Sequence, residues 1–504
     1  MDFLIINEGS RILSTLVFLP LAGAFILLFL PSENLQRLWA MLVTVVTALF
    51  SIKLYTGFDS TTAKYQFAEH VSWIPSLNIN YTLGIDGISL LLVLLTTFIM
   101  PLCVIGSWTY IQKRVKEFMI CLLIMETAML GVFMALDFAL FYILWEAMLI
   151  PMYLLIAIWG GPRKTYASIK FFLYTLAGSV MLLVAIIALY LANDGSFSIP
   201  MMMSQDYPFS FQIWVFLAFF LAFAIKVPMF PFHTWLPAAH VEAPTAGSVV
   251  LASVLLKMGT YGFLRFCLPI TPLATLSLGP YILWLSVAAI LYGGFTALAQ
   301  TDMKKLIAYS SVGHMGFVTL GIFFLNKQGL EGAILQMINH GITTGALFLC
   351  VGMMYERTHS REIADHSGIA QNVPIFVTFL TIFSLSSLAF PATNSFVGEF
   401  LVLASAFSVN KVIAGAAIPG AILAAAYMFR LLQHVLFRGP GRPDLKDLNV
   451  REIMTLAPLV FFVFWIGLAP EPFLNVMHTS VDYLLGQVEL AKAGAHVVAM
   501  APLP

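Results

Sequence analysis

The chain has 504 residues, of which 60% are hydrophobic and only 10% are charged. A soluble domain carries about 25% charged residues, and so few charges could not cover a water-facing surface around this many apolar side chains. The composition therefore excludes a soluble enzyme and indicates that the lipid bilayer is the solvent. The formal net charge is zero, which argues against a nucleic-acid partner.

Apolar segments long enough to cross a bilayer recur along the whole chain. A spanning helix needs about 20 mostly apolar residues, and about fourteen segments reach this length between short polar breaks. They lie near residues 12–31, 36–56, 86–107, 117–136, 138–159, 168–192, 211–240, 244–267, 280–300, 303–325, 329–352, 374–408, 412–437 and 454–472. The sequence therefore predicts an all-α integral membrane protein with about fourteen transmembrane helices.

The seventh and twelfth segments are too long for a single crossing. The seventh contains Pro228 and Pro231, and the twelfth contains Pro391 and Asn394. Proline lacks a backbone N–H and clashes with the preceding turn, so it kinks or breaks a helix. We predict that both segments are discontinuous helices.

The positions of the two predicted breaks suggest an internal repeat. Helices four to eight would form one five-helix bundle in residues 117–267, and helices nine to thirteen a second in residues 280–437. An odd number of spans per bundle inverts the second relative to the first, as in inverted-repeat transporters. Residues 1–116 would contain the first three helices, and residues 454–504 helix fourteen and a C-terminal tail.

Basic residues indicate the orientation, because short cytoplasmic loops are enriched in Lys and Arg. The loops after odd-numbered spans contain sixteen of these residues, and the other loops contain seven. This asymmetry predicts that both termini of the multi-pass chain lie on the non-cytoplasmic side, which is the periplasm in a bacterium. No transit peptide is recognisable, so we expect a bacterial inner membrane, with the mitochondrial inner membrane as the alternative.

The stretches between spans leave little room for a cofactor domain. The longest of them, residues 57–85, lacks the Gly-rich loop of a nucleotide or flavin site. The cysteines are far apart in apolar segments, which is typical of small buried side chains and not of iron–sulfur or zinc ligands. They are Cys103, Cys121, Cys267 and Cys350. We therefore expect no metal site and no cofactor in this chain.

Six ionisable residues lie where lipid should exclude them. A charge at the bilayer centre costs about 2.5–3.5 kcal/mol, so each one needs a reason. They are Glu146, Lys226, Lys257, His314, His340 and Glu399. A single buried pair could be a counter-ion that sets helix packing, but side chains that can gain and lose a proton, gathered in one apolar chain, favour a proton relay.

Three further residues are weaker candidates for the same path. Glu126 lies in the fourth span. His233 and His240 are seven residues apart and would share one helical face if the helix continues. That spacing is compatible with a metal-binding pair, but we favour a polar path or an interface with Glu242.

Four sequence runs carry a resemblance to a known family. They are FHTWLPAAHVEAPTAGSVVLASVLLKMGTYGFLRF at 232–266, FYILWEAMLIPMYLLIAIWGG at 141–161, AQTDMKKLIAYSSVGHMGFV at 299–318 and NSFVGEF at 394–400. With these runs the chain closely resembles, over nearly its whole length, the antiporter-like subunits of respiratory complex I. The chain stops about thirty residues beyond the last predicted span, which argues against the member of that group that ends in a long lateral helix. Glu399, where other relatives carry Lys, argues the same way.

The resemblance implies a role for each matching position. Glu146 with Lys226 would be the carboxylate–lysine pair of an input half-channel, and Lys257 the central bridge. His314 and His340 would continue the polar axis to Glu399, the terminal site of an output half-channel. One departure is Ala238, where many relatives carry a charged residue, so no relay role is expected there.

The resemblance also implies a function. The chain would be a proton-translocating membrane subunit of an NADH:quinone oxidoreductase, driven by redox chemistry elsewhere, so that NADH, FMN, iron–sulfur clusters and quinone would be bound by partner subunits. Further antiporter-like subunits would flank it in the lipid bilayer. Two alternatives remain at this stage: a subunit of a multisubunit sodium/proton antiporter, and a structural scaffold whose buried charges only set helix register.

Overall fold

The computed structural model describes residues 4–6, 11–439 and 441–500, which are predominantly helical. The first helices are α1 (Ile12–Leu27), α2 (Glu33–Gly57), α3 (Gly87–Gly106), α4 (Val115–Met134), α5 (Phe138–Trp159), α6 (Lys164–Ala192), α7 (Ile199–Met203), α8 (Phe209–Lys226) and α9 (Trp235–Glu242). They are followed by α10 (Thr245–Ile270), α11 (Pro272–Leu298), α12 (Met303–Phe323), α13 (Lys327–Thr358), α14 (Pro374–Ser387), α15 (Asn394–Val409), α16 (Lys411–Phe437), α17 (Val450–Leu468) and α18 (Glu471–Met500).

Most of these helices can cross a bilayer. Within the described part of the chain, twelve are long and apolar enough to do so, while α1, α14 and α15 are shorter apolar helices. Together with α1 and the pair α14–α15, the long helices account for every segment expected from the sequence. The prediction of a multi-pass helical membrane protein is confirmed.

Both long segments are interrupted, as the prolines predicted. In the first, α8 ends at Lys226, a short 3₁₀ turn covers Phe232–Thr234, and α9 begins at Trp235. In the second, α14 ends at Ser387 and α15 begins at Asn394. At the first break residues 226–229 are buried in the bundle, whereas residues 390–392 of the second break are exposed.

The second break also contains strained backbone. Ala389 has φ of +58° and Ala392 has φ of +72°, the left-handed region that L-residues with a Cβ rarely occupy. Such conformations cost about 1–3 kcal/mol each and persist only where the surroundings impose them. The backbone of α17 approaches this turn closely, because a Cβ at Gly467 would lie 2.2 Å from the carbonyl oxygen of Ala392.

A small sheet outside the helices was not predicted. Strand β1 (Leu4–Ile6) pairs in parallel with β2 (Tyr65–Ile74), which pairs antiparallel with β3 (Ile79–Ile85). Asn78 occupies the left-handed region at the turn, with φ of +52°. The long stretch between spans at residues 57–85 thus contains a hairpin. It leads directly into Asp86, whose carboxylate accepts a hydrogen bond from the backbone N–H of Ser89 and caps α3.

The C-terminal segment, expected to be a tail, is the long helix α18. It lies against the first turn of α3, where Ser480 Oγ accepts the N–H of Gly87 at 3.0 Å. A Cβ at Gly87 would lie 2.0 Å from the carbonyl oxygen of Val476, so only glycine permits this approach. The apolar residues of this segment are spaced irregularly, so the sequence did not predict a spanning helix there.

Helices α10 and α13 form the centre of the bundle. All of the most apolar part of each is buried, against 33% for α2 and α17 at the periphery. Their backbones approach closely. Ser253 Oγ donates to the carbonyl oxygen of Gly341 at 2.7 Å, and a Cβ at Gly341 would lie 2.9 Å from the backbone carbonyl oxygen of Ser253. The close approach lets short and long polar side chains of the two helices meet.

Candidate functional site

Lys257 and His340 form the centre of the polar site. Lys257 lies in the α-helical turn of α10 between two π-helical stretches, Leu251–Leu255 and Phe263–Cys267. π-Helical turns widen the helix and occur often at functional sites. The Lys257 amine donates to Nδ1 of His340 at 2.6 Å and also to the carbonyl oxygen of Ala252. Both side chains are buried.

His314 and Glu399 form the second part of the site. His314 Nδ1 lies 2.7 Å from Glu399 Oε1, and both side chains are buried. Gln336 donates to the same carboxylate oxygen at 2.9 Å. The other ring nitrogen of His314, Nε2, also has partners, since it lies 3.3 Å from the hydroxyls of Ser387 and Tyr427. Glu399 and His314 therefore share one hydrogen-bond network.

The two parts are adjacent. The ring centroids of His314 and His340 are 5.9 Å apart. A gap of this size is one that a water molecule can bridge. His340 Nε2 and Glu399 Oε2 are buried without a hydrogen-bond partner among the described residues, so each has capacity for a further partner. Lys257, His340, His314 and Glu399 therefore lie in a line through the interior, as two hydrogen-bonded pairs whose imidazoles are neighbours.

The predicted Glu146–Lys226 pair is not a closed ion pair. The Lys226 amine is buried at the end of α8, 3.4 Å from the sulfur of Met148 and 5.0 Å from the ring centroid of Trp145. No carboxylate among the described residues lies within 4.0 Å of it. Glu146 is half-buried at a groove on the bundle wall beside Tyr142, and its Oε1 has no described partner.

His233 and His240 lie on two consecutive elements, a 3₁₀ turn and the helix α9 that begins directly after it, and they have different neighbours. His233 lies in the 3₁₀ turn before α9, stacked on Phe230 and in edge-to-face contact with Tyr292. His240 lies within α9, stacked on Phe348 at 4.5 Å. Both imidazoles are buried, with no hydrogen-bond partner in the described part of the chain. The two imidazoles contact different residues, so the structure does not bring them together as a pair.

Glu126 is fully buried in α4, and neither carboxylate oxygen has a hydrogen-bond partner among the residues described. A buried carboxyl group without a partner is costly in its charged form. The structure does not join Glu126 to the line of Lys257 and Glu399 by any described hydrogen bond.

Several polar residues of the site were not identified from the sequence. Gln336 lies one turn before His340 on α13, and this i, i+4 spacing of polar residues in an apolar helix was an available signal. Lys304 is buried at the start of α12, where its amine donates to the carbonyl oxygen of Ala243 at 2.8 Å.

Arg265 belongs to a second buried cluster. Its guanidinium donates to Asp86 Oδ1 at 2.6 Å, to the hydroxyl of Tyr65 at 3.1 Å and to Ser89 Oγ at 3.1 Å. These contacts join α10, which carries Lys257, to the hairpin and to the cap of α3. No local sequence pattern connects residues so far apart.

The structure also bears on metal binding. In residues 4–6, 11–439 and 441–500 there is no group of three or more His, Cys, Asp or Glu side chains placed to hold a metal ion. All four cysteines are buried and free, as expected for small apolar side chains.

Two protein families match the chain. Residues 135–424 match the family described as NADH:quinone oxidoreductase/Mrp antiporter, TM. Residues 15–132 match the family described as NADH-ubiquinone oxidoreductase chain 4, amino terminus. Together the two matches cover both broken helices and the whole polar line.

Two similar proteins match almost end to end. NADH-ubiquinone oxidoreductase chain 4 of Arabidopsis thaliana is 47% identical over 480 residues, which cover 94% of this chain and 97% of that protein. NADH-quinone oxidoreductase subunit M of Rhodobacter capsulatus is 47% identical over 514 residues, which cover 96% of this chain and 100% of that protein.

Solved structures of membrane complexes contain chains with the same fold. A chain in the structure of respiratory complex I from Thermus thermophilus with bound NADH is 31% identical, with a TM-score of 0.88 over 94% of this chain and 99% of that one. A chain of the Mrp complex from Dietzia sp. DQ12-45-1b has a TM-score of 0.81 over 97% of this chain and 57% of that one. Its identity of 19% shows a shared fold alone.

The fold and the family matches together define the class of protein, an antiporter-like membrane subunit. Within that class, the 47% identity over nearly complete lengths is decisive. The chain belongs to the family of NADH-quinone oxidoreductase subunit M and its mitochondrial counterpart, NADH-ubiquinone oxidoreductase chain 4. The resemblance seen in the four sequence runs is confirmed.

Proposed function

We propose that the chain is a proton-translocating membrane subunit of NADH:quinone oxidoreductase, complex I, and contains no redox centre of its own. Family membership supports the placement in the complex. The observation that carries the proton-translocating role is the buried line of Lys257, His340, His314 and Glu399, in which each group can hold a proton. NADH, FMN, iron–sulfur clusters and quinone are bound by partner subunits, and further antiporter-like subunits flank the chain.

The contacts suggest how a proton moves along this line. Lys257 donates to Nδ1 of His340, so a proton released by the amine has an acceptor already in hydrogen-bond contact. A bridging water can carry it from His340 to His314. His314 Nδ1 then contacts Glu399, the last acidic group of the line. The transfers from Lys257 to His340 and from His314 to Glu399 cross hydrogen-bond distances, and the step between the two imidazoles requires the bridging water.

The open arrangement of Glu146 and Lys226 suggests a switch at the entrance. Lys226 rests against a thioether and an indole ring, which solvate an ammonium group less well than water or a carboxylate. Closing the pair would stabilise the charged lysine, and opening it would favour release of the proton. We propose that redox chemistry in partner subunits drives the change between the two arrangements. Moving one charge across the membrane requires about 2.3 kcal/mol per 100 mV.

We also propose the predicted organisation around this relay. Residues 117–267 and 280–437 form two inverted five-helix units, each with one of the discontinuous helices. The excess of basic residues after odd-numbered spans supports a periplasmic location for both termini in a bacterial inner membrane. Lipid surrounds the chain on the faces that partner subunits leave open.

The function can be tested at His340. The intact complex with His340→Gln keeps a side chain that can hydrogen-bond Lys257 but cannot relay a proton near neutral pH. Reconstituted in proteoliposomes, it should acidify the lumen poorly on NADH addition. His359→Gln, an exposed histidine just beyond the end of the same helix, is the matched control and should pump normally. Equal pumping by both variants would contradict a relay through His340.

A further inference from the structure

A groove lies between α14 and α16 on the wall of the bundle. Its volume is about 720 Å³, and its walls are mostly apolar, with Leu385, Phe429, Leu436 and Phe437 among them. One cation, Arg430, also lines it. The groove lies toward the end of α16 at Phe437, the membrane face at which that helix terminates.

Two further basic residues follow Arg430 toward the membrane surface. His434 lies four residues on, on the same side of α16, and Arg438 lies four residues further, directly after the last helical residue. The Arg438 guanidinium donates to His434 Nε2 at 3.2 Å. Arg430 lies seven residues before the last helical residue, Phe437, which places its Cα about 10 Å below the helix end. Its long side chain can reach toward the surface from there.

These two arginines lack an acidic partner. Arg430 donates to the carbonyl oxygen of Leu298, and no carboxylate in the described ranges lies within 4.0 Å of Arg430 or Arg438. Every other arginine of the loops predicted to share this membrane face has such a carboxylate: Arg37, Arg114, Arg163, Arg357, Arg361, Arg442 and Arg451. Arg430, which lines the groove, and Arg438, near its end, are therefore positive charges without an acidic partner.

We propose that this groove binds an anionic phospholipid. The phosphate would lie between Arg438 and His434, where a guanidinium can donate two parallel hydrogen bonds to phosphate oxygens. Arg430 would reach the ester region below it, and an acyl chain would fill the apolar part of the groove. Basic pockets between transmembrane helices are suited to anionic headgroups. The charge favours an anionic lipid over a neutral lipid or an apolar protein helix.

The experiment uses the intact complex in nanodiscs of phosphatidylcholine with a small fraction of photoactivatable phosphatidylglycerol. After illumination, digestion and mass spectrometry show which peptides carry lipid. The peptides around α14 and the second half of α16 should be labelled. Arg430→Gln with Arg438→Gln should lower that labelling by about fivefold for each charge removed. Ala426→Trp, which obstructs the groove and keeps its charges, should lower it as well.

Two controls make the result decisive. Lys411→Gln removes an exposed basic charge at the opposite end of α16 and should leave labelling at the groove unchanged. Photoactivatable phosphatidylcholine should label these peptides weakly. Equal labelling by the two lipids, unchanged labelling in the double variant, or protection of the groove by a neighbouring subunit would each overturn the proposal.

Discussion

The amine of Lys257 lies 2.6 Å from Nδ1 of His340, although the two residues are 83 positions apart in the chain. The contact exists because α10 and α13 approach closely at Gly341 and because both helices are buried at the centre of the bundle. It places a lysine and a histidine in direct hydrogen-bond contact away from lipid and bulk water.

The entrance of the relay is tested by neutralising its two members one at a time. Glu146→Gln and Lys226→Ala should each depress proton pumping and the coupled turnover of NADH and quinone, because each removes a group that the proposed switch requires. Electron transfer from NADH to an artificial acceptor in the peripheral arm should stay near normal, since that step does not involve this chain.

A structural defect would give a different pattern. If either variant failed to assemble, both quinone-linked and artificial-acceptor activities would fall in the purified complex. Normal coupled turnover in both assembled variants would remove Glu146 and Lys226 from the pathway.

The identity of the transported ion gives the second prediction. The line of Lys257, His340, His314 and Glu399 requires only titratable groups and water, so proteoliposomes of the intact complex should acidify their lumen in sodium-free buffer. The measurement is the quenching of a pH-sensitive dye on NADH addition. An absolute requirement for sodium would instead favour the function of a sodium/proton antiporter.

The buried Arg265–Asp86 pair gives a prediction about stability. Arg265→Met leaves the Asp86 carboxylate buried without its cation, a change that costs about 3–5 kcal/mol. Arg265→Met combined with Asp86→Asn removes both charges and keeps a side-chain oxygen that can still cap α3. The double variant should therefore recover most of the thermal stability lost in the single variant, as measured by scanning fluorimetry of the solubilised complex.

The single and double variants must be compared on the same preparation. A double variant as unstable as Arg265→Met would show that the guanidinium stabilises the fold through its contacts with Tyr65 and Ser89, and not by compensating the charge of Asp86.

Much of the fold could be predicted because each signal was local. Pro228 and Pro231 interrupt the first broken helix, and their effect depends only on the neighbouring turn. The long apolar segments predict spans for the same reason. Lys257 and Glu399 could be singled out because a lone ionisable residue in an apolar helix is conspicuous whatever it contacts.

The remaining features depend on contacts between distant parts of the chain. The pairing of Arg265 with Asp86 and the docking of α18 on Gly87 each join residues separated by well over a hundred positions. The open geometry of Glu146 and Lys226 was equally inaccessible, because spacing along a helix does not determine which rotamer a long side chain adopts. The hairpin of β2 and β3 was missed because its alternating pattern is short and irregular.

In the proposed relay, Lys257 carries a proton and not merely a charge. Lys257→Arg keeps the positive charge and a similar reach, but a guanidinium does not release its proton at an accessible cost. A relay residue must alternate between two protonation states, whereas a counter-ion needs only to stay charged. The two roles therefore predict opposite behaviour for this one substitution.

The decisive measurement is lumen acidification per NADH oxidised by proteoliposomes of the assembled complex with Lys257→Arg, beside Lys257→Ala and the unaltered chain. If Lys257 relays protons, the Arg variant should assemble and yet pump as poorly as the Ala variant. Full pumping by the Arg variant, with failure of the Ala variant, would contradict the relay and leave Lys257 as a fixed counter-ion.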